Sequence, residues 1–359
     1  MIGAKLALLV VLGSIASLTN GDLVKRSANL PDVLNVKTTN LYPEDGVYDP
    51  QRGLLYQSNL WKGQLNVWNP KDDTHFTVKI DGVSSSGNGT QQLAGVSMDS
   101  LTAPTKLYAV AKPSSAFNFD AKHDQGPCSF HAFNLPLSSS SKPIWSVDVK
   151  PVQAAFATQY GTRPYGNVAS AQDAQGNSYM IFALGAPAIA KISADGSSIT
   201  PWFQEASNGS QRPGYTGITY DEATNSLIAY GGPRALTLFK LDDATPTAYP
   251  ITINGNFGSL SGTEKIKNFP GLLAVKGAPR LLATKAPYIY SFSSTDDWSS
   301  VSFKTYTRKE FQTDSLTSIV EYQVGNKRGV YGTGAYFSEG AHGGRKSTPA
   351  YKIDKSLLE

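Results

Sequence analysis

The chain has 359 residues, 40% of them apolar and 17% charged, with a formal net charge of +4 and a single cysteine. This much apolar and aromatic content excludes an intrinsically disordered chain. One cysteine excludes an intrachain disulfide framework, and a charge this close to neutral gives no footing for nucleic-acid binding.

Met1–Gly21 carries one positive charge at Lys5, an apolar run from Leu6 to Leu12, and small or polar residues after it. That is the pattern of a secretory signal peptide, too short to span a membrane. Residues 22–26 end in Lys25-Arg26, a dibasic processing site, so the mature chain is expected to start at Ser27. Processing removes Lys5, Lys25, Arg26 and Asp22 and brings the net charge to about +2, so part of the basic balance belongs to the precursor. No transmembrane segment is expected.

From Val33 onward the sequence repeats one pattern. Gly46-Val-Tyr-Asp49, Gly95-Val-Ser-Met-Asp99, Gly166 through Asp173 and Gly217-Ile-Thr-Tyr-Asp221 each open a unit. An apolar strand with an aromatic follows each, as in Leu54-Leu-Tyr56 and Leu227-Ile-Ala-Tyr230. Looser copies open at Gly262, running to Leu272–Val275, and near Ser318. In the first unit four short strands are legible, Gly46–Tyr48, Leu54–Gln57, Gln64–Trp68 and His75–Ile80, punctuated by Pro, Gly, Asn and Asp. The fourth repeats them as Gly217–Tyr220, Ser226–Tyr230, Leu236–Leu241 and Ala248–Ile253.

Four-stranded units at a period of roughly 40–50 residues read as propeller blades. Six blades closed radially leave only short sheet edges. The long second unit needs an insertion, assigned to Ser114–Pro127. Only Gln153–Tyr160 has a helical pattern, and Val33–Thr39 is predicted to close the ring as the outer strand of the last blade. Residues 27–359 thus form one all-β, six-bladed domain. A closed sheet of this size builds a core large enough to do without disulfides, in which Cys128 reads as a small buried hydrophobe. The sequons at Asn88 and Asn208 fall in Gly/Ser-rich loops and are expected to accept glycans.

In a four-stranded blade, the loop leading into the innermost strand and the turn between the second and third strands emerge on one face. That face gathers Glu44, Arg163, Tyr165, Arg212, Tyr215 and Glu264 from the leading loops. From the turns it gathers Trp61, Lys112, Arg234, Lys285, Tyr288, His342 and Arg345. Arginine forks suit phosphate or carboxylate, and Tyr and Trp supply apolar walls with polar tips. The composition suits an anionic amphiphile at the channel mouth. The plainer alternative is that the arginines pair with Glu44, Asp45 and Glu264 and pin loops. No zinc, phosphate-loop or Gly-x-Ser-x-Gly motif occurs, and His75, His123, His131 and His342 are scattered. No catalytic residue, cofactor or metal is expected.

Leu41-Tyr-Pro-Glu-Asp-Gly-Val-Tyr-Asp49, Leu55 through Gly63, Phe130-His-Ala-Phe-Asn-Leu-Pro136, Gln211-Arg-Pro-Gly-Tyr215, Gly231-Gly-Pro-Arg-Ala-Leu236 and Gly340-Ala-His-Gly-Gly-Arg345 resemble the Malassezia major-allergen (Mala s 1-like) family, with its related trichothecene-cluster virulence proteins. The resemblance implies a six-bladed propeller, secretion to the cell surface or wall, and a lipid-like ligand such as a phosphoinositide. The outline also resembles the calcium-dependent gluconolactonase (SMP-30-like) propellers. There Glu44 falls at a metal-ligand position, while Tyr165 and Tyr215 stand where that resemblance places Asn and Asp. Losing two hard oxygen ligands disfavours Ca²⁺ and the hydrolysis that it would support. The expected function is therefore binding rather than catalysis, by a monomer or weak oligomer. The alternatives are a divergent lactonase or esterase and a scaffold or virulence factor that binds wall or host proteins.

Overall fold

The computed structural model describes residues 30–118, 126–206, 213–255, 272–275, 278–312, 314–324 and 327–358. Six small sheets stand in a ring, each a meander that runs outward from an innermost strand. Blade 1 comprises Gly46–Asp49, Leu54–Asn59, Gln64–Asn69 and Thr74–Lys79. Blade 2 comprises Gln91–Met98, Lys106–Pro113, Ser129–Asn134 and Trp145–Asp148. Blade 3 comprises Tyr165–Gln172, Ser178–Leu184, Ala188–Ile192 and Ile199–Gln204. Blade 4 comprises Tyr215–Asp221, Ser226–Gly231, Leu236–Lys240 and Tyr249–Pro250. Blade 5 comprises Leu272–Ala274, Arg280–Lys285, Tyr288–Ser293 and Ser300–Thr307. Blade 6 takes Ser318–Val324, Lys327–Thr333 and Thr348–Lys352 from the C-terminal part of the chain.

Its fourth strand is Val33–Val36, antiparallel to Thr348–Lys352 with Val33 opposite Tyr351 and Val36 opposite Thr348. The ring is therefore closed by the N-terminal strand, as the sequence predicts. Tyr48 adds a tie by donating to the Gln323 carbonyl at 2.8 Å.

The recurring aspartate has a local cause. Asp49 ends the innermost strand of blade 1 and accepts from the Gln51 and Arg52 amides at 2.9 and 3.1 Å. Its other oxygen takes the Tyr56 hydroxyl of the next strand at 3.4 Å. Asp173 does the same in blade 3, accepting from the Gln175 and Asn177 amides and from Tyr179 at 3.1 Å. One carboxylate thus caps the turn and anchors the second strand, an Asx-type device. Between blades, apolar faces interdigitate. Val47, Tyr56, Leu65 and Val67 of blade 1 pack on Leu93, Leu107 and Phe133 of blade 2. Each such side chain contributes roughly 1.5–3 kcal/mol on burial.

Three expectations are corrected. Ala248–Ile253 is not one outer strand: only Tyr249–Pro250 pairs within blade 4, and Thr252–Asn254 crosses to lie parallel to Ser300–Thr307 of blade 5. Leu272–Val275, read as the second strand of the fifth unit, supplies instead the innermost strand, Leu272–Ala274; the Gly262 opening lies outside the described residues. The helix is longer than predicted, Lys150–Tyr160, with Pro151 in its first turn and Gly161 at φ 75° ending it. It buries Val152 and Phe156 with Cys128 against blade 3, Phe156 meeting Phe182 edge-on at 5.8 Å. This helix, together with the 114–127 insertion, makes the second unit long.

Candidate functional site

A cavity of about 1050 Å³ follows the axis of the ring. It begins at Glu44 and Asp45, where the chain enters blade 1, and runs along the innermost strands past Val47, Val96, Met98, Val168, Ile218, Leu273 and Ile319. It ends at the turns beginning Asp99, Asp173 and Asp221 and at Ser294–Trp298. The wall is largely apolar, and charge is concentrated at its two ends.

At the leading end stands a buried ion pair. Lys112 Nζ, on the second strand of blade 2, donates to Glu44 Oε1 and Oε2 at 2.6 and 2.8 Å. The two side chains are 1% and 5% exposed. Burial pushes the Glu44 carboxyl up and the Lys112 ammonium down, and their contact opposes both. Buried amides surround the pair. Gln92 lies opposite Lys112 in the ladder, and Asn167 donates to the neighbouring Ala111 carbonyl at 2.8 Å. Gln92 Oε1 and Asn167 Oδ1 find no donor among the described residues.

Asp45 bolts three blades together. It accepts from Ser318 Oγ of blade 6 at 2.8 Å, from its own blade's Gly46 amide at 2.8 Å, and from the Val96 amide of blade 2 at 3.1 Å. One edge of Asp45 reaches the cavity, but burial still raises its carboxyl to about 6.

Of the described site residues named from sequence, only Glu44 lines the cavity. Tyr165 and Tyr215 are in the packed interior, 3% and 0% exposed. Each lies beneath the glycine turn that follows the second strand of its own blade. A Cβ on Gly185 would fall 2.8 Å from the Tyr165 ring, and one on Gly232 3.1 Å from Tyr215. Tyr215 donates to Glu205 at 3.3 Å, and Arg234 forms an ion pair with the same carboxylate. Arg163 donates to Gln153 Oε1 of the helix at 3.0 Å. Arg345 pairs with Glu339 and lies 3.6 Å over the Tyr336 ring. Trp61 is half-buried in its turn and Lys285 at the end of the second strand of blade 5, while Tyr288 and His342 are exposed. Arg212, Glu264 and Asn208 lie outside the described residues; Asn88 is exposed on a loop that abuts His342. Arg234 and Arg345 thus pin loops, though through Glu205 and Glu339 rather than the partners considered from sequence.

Sequence reasoning missed a serine–histidine chain in blade 2. Ser129 Oγ and Ser146 Oγ flank His131 at 2.8 Å on Nε2 and Nδ1, and Ser129 donates to Gln91 Oε1 at 2.8 Å. With the Ser129 proton on Gln91, the imidazole Nε2–H donates to Ser129, the reverse of nucleophile activation. Burial lowers His131 to about 4, so it is neutral and structural. For a metal, the donor set fits poorly. Both oxygens of Glu44 are held by the Lys112 ammonium. Among the described residues, no three His, Cys, Asp or Glu side chains come together to hold an ion.

Comparisons with known proteins agree with this architecture. The chain is 48% identical over 353 residues to the major allergen Mal f 1 of Malassezia furfur, covering 98% of each chain. It superposes on the crystal structure of the major Malassezia sympodialis allergen Mala s 1 with a TM-score of 0.86 at 47% identity, over 92% of this chain and 98% of that one. A gluconolactonase from Xanthomonas campestris shares the fold alone, with a TM-score of 0.50 at 10% identity over 90% and 89% of the two chains. The model of the family described as Mal s 1 allergenic protein-like matches residues 23–316, and the chain belongs to that family.

Proposed function

We propose that this chain is a secreted, surface- or wall-associated propeller that binds an amphiphile and does not hydrolyse it. The observation that carries the reading is the Glu44–Lys112 pair at the head of the apolar cavity. A metal hydrolase built on this ring would need Glu44 to hold a cation, and Lys112 supplies that positive charge from within the chain. What remains is a cavity at the upper end of the size range of small-molecule sites, walled by aliphatic side chains. The apolar part of the ligand lies along this wall. Its anionic group meets the leading face, where Arg163 and Lys285 supply cationic donors. Phosphoinositides are the first class to test.

Sedimentation with vesicles tests this. Vesicles of phosphatidylcholine doped with phosphatidylinositol 4-phosphate should retain the protein, and phosphatidylcholine alone should not. Arg163→Ala/Lys285→Ala should weaken retention roughly tenfold, about 1.4 kcal/mol. Equal retention by neutral vesicles, or calcium-dependent lactone hydrolysis by the purified protein, would overturn the reading.

A further inference from the structure

The Asn88-Gly-Thr90 sequon stands on the leading face, in the loop that joins the outer strand of blade 1 to the innermost strand of blade 2. Contacts to three blades hold this loop in place. The Ser85 amide donates to the Lys62 carbonyl in a turn of blade 1 at 2.9 Å, and the Ser114 amide of blade 2 donates to the Thr90 carbonyl at 3.0 Å. Against blade 6 the fit is close: a Cβ on Gly87 would fall 2.5 Å from Ala341 Cβ and 3.3 Å from His342 Nε2. On either side of the asparagine, the Gly87 and Gly89 amides donate to Ser85 Oγ at 3.1 and 3.0 Å. Four residues further on, Gln92 lies opposite Lys112, the partner of Glu44 at the head of the cavity. Four residues of chain reach at most about 14 Å, so Asn88 stands close to the mouth.

The asparagine is presented for modification. Its side chain is exposed, Ser86 Oγ donates to its Oδ1 at 3.1 Å, and its Nδ2 has no hydrogen-bond partner among the described residues. Thr90 is exposed as well, so the whole acceptor motif lies on an open loop. Nδ2 is the atom to which a sugar is joined. It displaces the pyrophosphate of a lipid-linked oligosaccharide: the bond from nitrogen to the anomeric carbon forms, the bond from that carbon to the pyrophosphate oxygen breaks, and the nitrogen gives up one proton. Arg163 and Lys285 belong to blades 3 and 5, whereas the Asn88 loop lies against blades 1, 2 and 6. A bulky, hydrated oligosaccharide rooted there flanks the mouth without filling it.

We propose that an N-linked glycan on Asn88 holds the leading face off a continuous bilayer and leaves the cavity open to single, dispersed amphiphile molecules. This rests on the reading of a secreted chain that takes an amphiphile at that face, and it states how the ligand arrives. A flat membrane has to come within hydrogen-bonding distance of Arg163 and Lys285, which crowds and dehydrates the sugar. A single molecule enters beside it. Retention on vesicles then belongs to protein that lacks this glycan.

The test compares two full-length chains made in a secreting yeast host: Asn208→Gln, in which Asn88 is the sole sequon, and Asn208→Gln/Asn88→Gln, which has none. Intact mass should show a glycan on the first only, and the two should melt alike because the Asn88 side chain is exposed. Vesicles of phosphatidylcholine doped with phosphatidylinositol 4-phosphate should retain the glycosylated chain at least about tenfold more weakly than the glycan-free one. Titration calorimetry with dioctanoyl phosphatidylinositol 4-phosphate, below its aggregation limit, should give affinities within about twofold of each other. An unmodified Asn88 overturns the proposal, as does equal vesicle retention of the two chains. Equal weakening of the dispersed lipid and the vesicles also overturns it, because the glycan would then fill the mouth. In these three outcomes the amphiphile reading stands. If the glycan-free chain binds neither vesicles nor the dispersed lipid, that reading fails and the proposal falls with it.

Discussion

Lys112→Met is the sharpest perturbation the structure offers. Methionine keeps most of the volume of the lysine stem and removes the ammonium that neutralises Glu44 at 2.6 and 2.8 Å. Breaking a buried pair from one side leaves an uncompensated charge and costs about 3–5 kcal/mol. Part of that loss is recoverable, because Glu44 can take up a proton. Burial already holds its carboxyl above the ordinary value of 4.5, and losing Lys112 removes the opposing influence. A folded pKa above the unfolded one means that the folded state binds the proton more tightly. The variant should therefore regain stability as pH falls through its folded pKa towards 4.5, by about 1.4 kcal/mol per unit of separation. Urea unfolding at pH 7.5 and pH 5 reads both effects. Glu44→Leu/Lys112→Met, which removes both charges, should be within about 1–2 kcal/mol of the parent or more stable. A loss below about 1 kcal/mol for Lys112→Met at pH 7.5, or an equal loss at both pH values, would refute the reasoning.

Other expectations follow from the same contacts. Asp45 has its carboxyl raised to about 6 from 3.8, so it favours folding when protonated. The Asp45 contribution to stability should grow as pH falls from about 6 towards 4, by on the order of 2 kcal/mol, read as the change with pH in the difference between thermal melts of the parent and of Asp45→Asn. Gly185→Ala forces a Cβ to within 2.6 Å of the Arg163 carbonyl at φ 83°, whereas Gly161→Ala at φ 75° meets nothing within 4 Å. The first should cost roughly 2–3 kcal/mol more than the second in chemical denaturation. Tyr179→Phe removes the bond to Asp173 and should cost about 1 kcal/mol at unchanged fold, measured by urea unfolding with circular dichroism.

Much of the ring is written in local chemistry. The aspartates at 49 and 173 cap turns using their immediate neighbours, so the pattern repeats wherever that turn repeats. The closing strand was likewise legible, because an apolar Val33–Val36 has to pair somewhere and the last blade lacks a strand. Blade 5 was misplaced because Leu-Leu-Ala-Val fits an innermost or a second strand equally well, and only the neighbouring blades decide. The site was less legible. Glu44 and Lys112 were both placed on the leading face, but they lie 68 residues apart on different blades and nothing local says that they pair. Tyr165 and Tyr215 look exposed on turn-like Arg-Pro segments. Their burial is signalled only by Gly185 and Gly232, whose missing side chains make room for the rings. Asp99, Asp173 and Asp221 were visible as repeat markers, yet nothing local says that they share one cavity.

The central claim is that a self-contained cation at Glu44 leaves the ring to bind rather than hydrolyse. Native mass spectrometry of the purified, glycosidase-treated protein, with metal quantified on the same sample, tests it most directly. The account predicts a co-purifying mass of amphiphile size and no stoichiometric calcium. One calcium per chain that survives dialysis, with no bound organic mass, would contradict it.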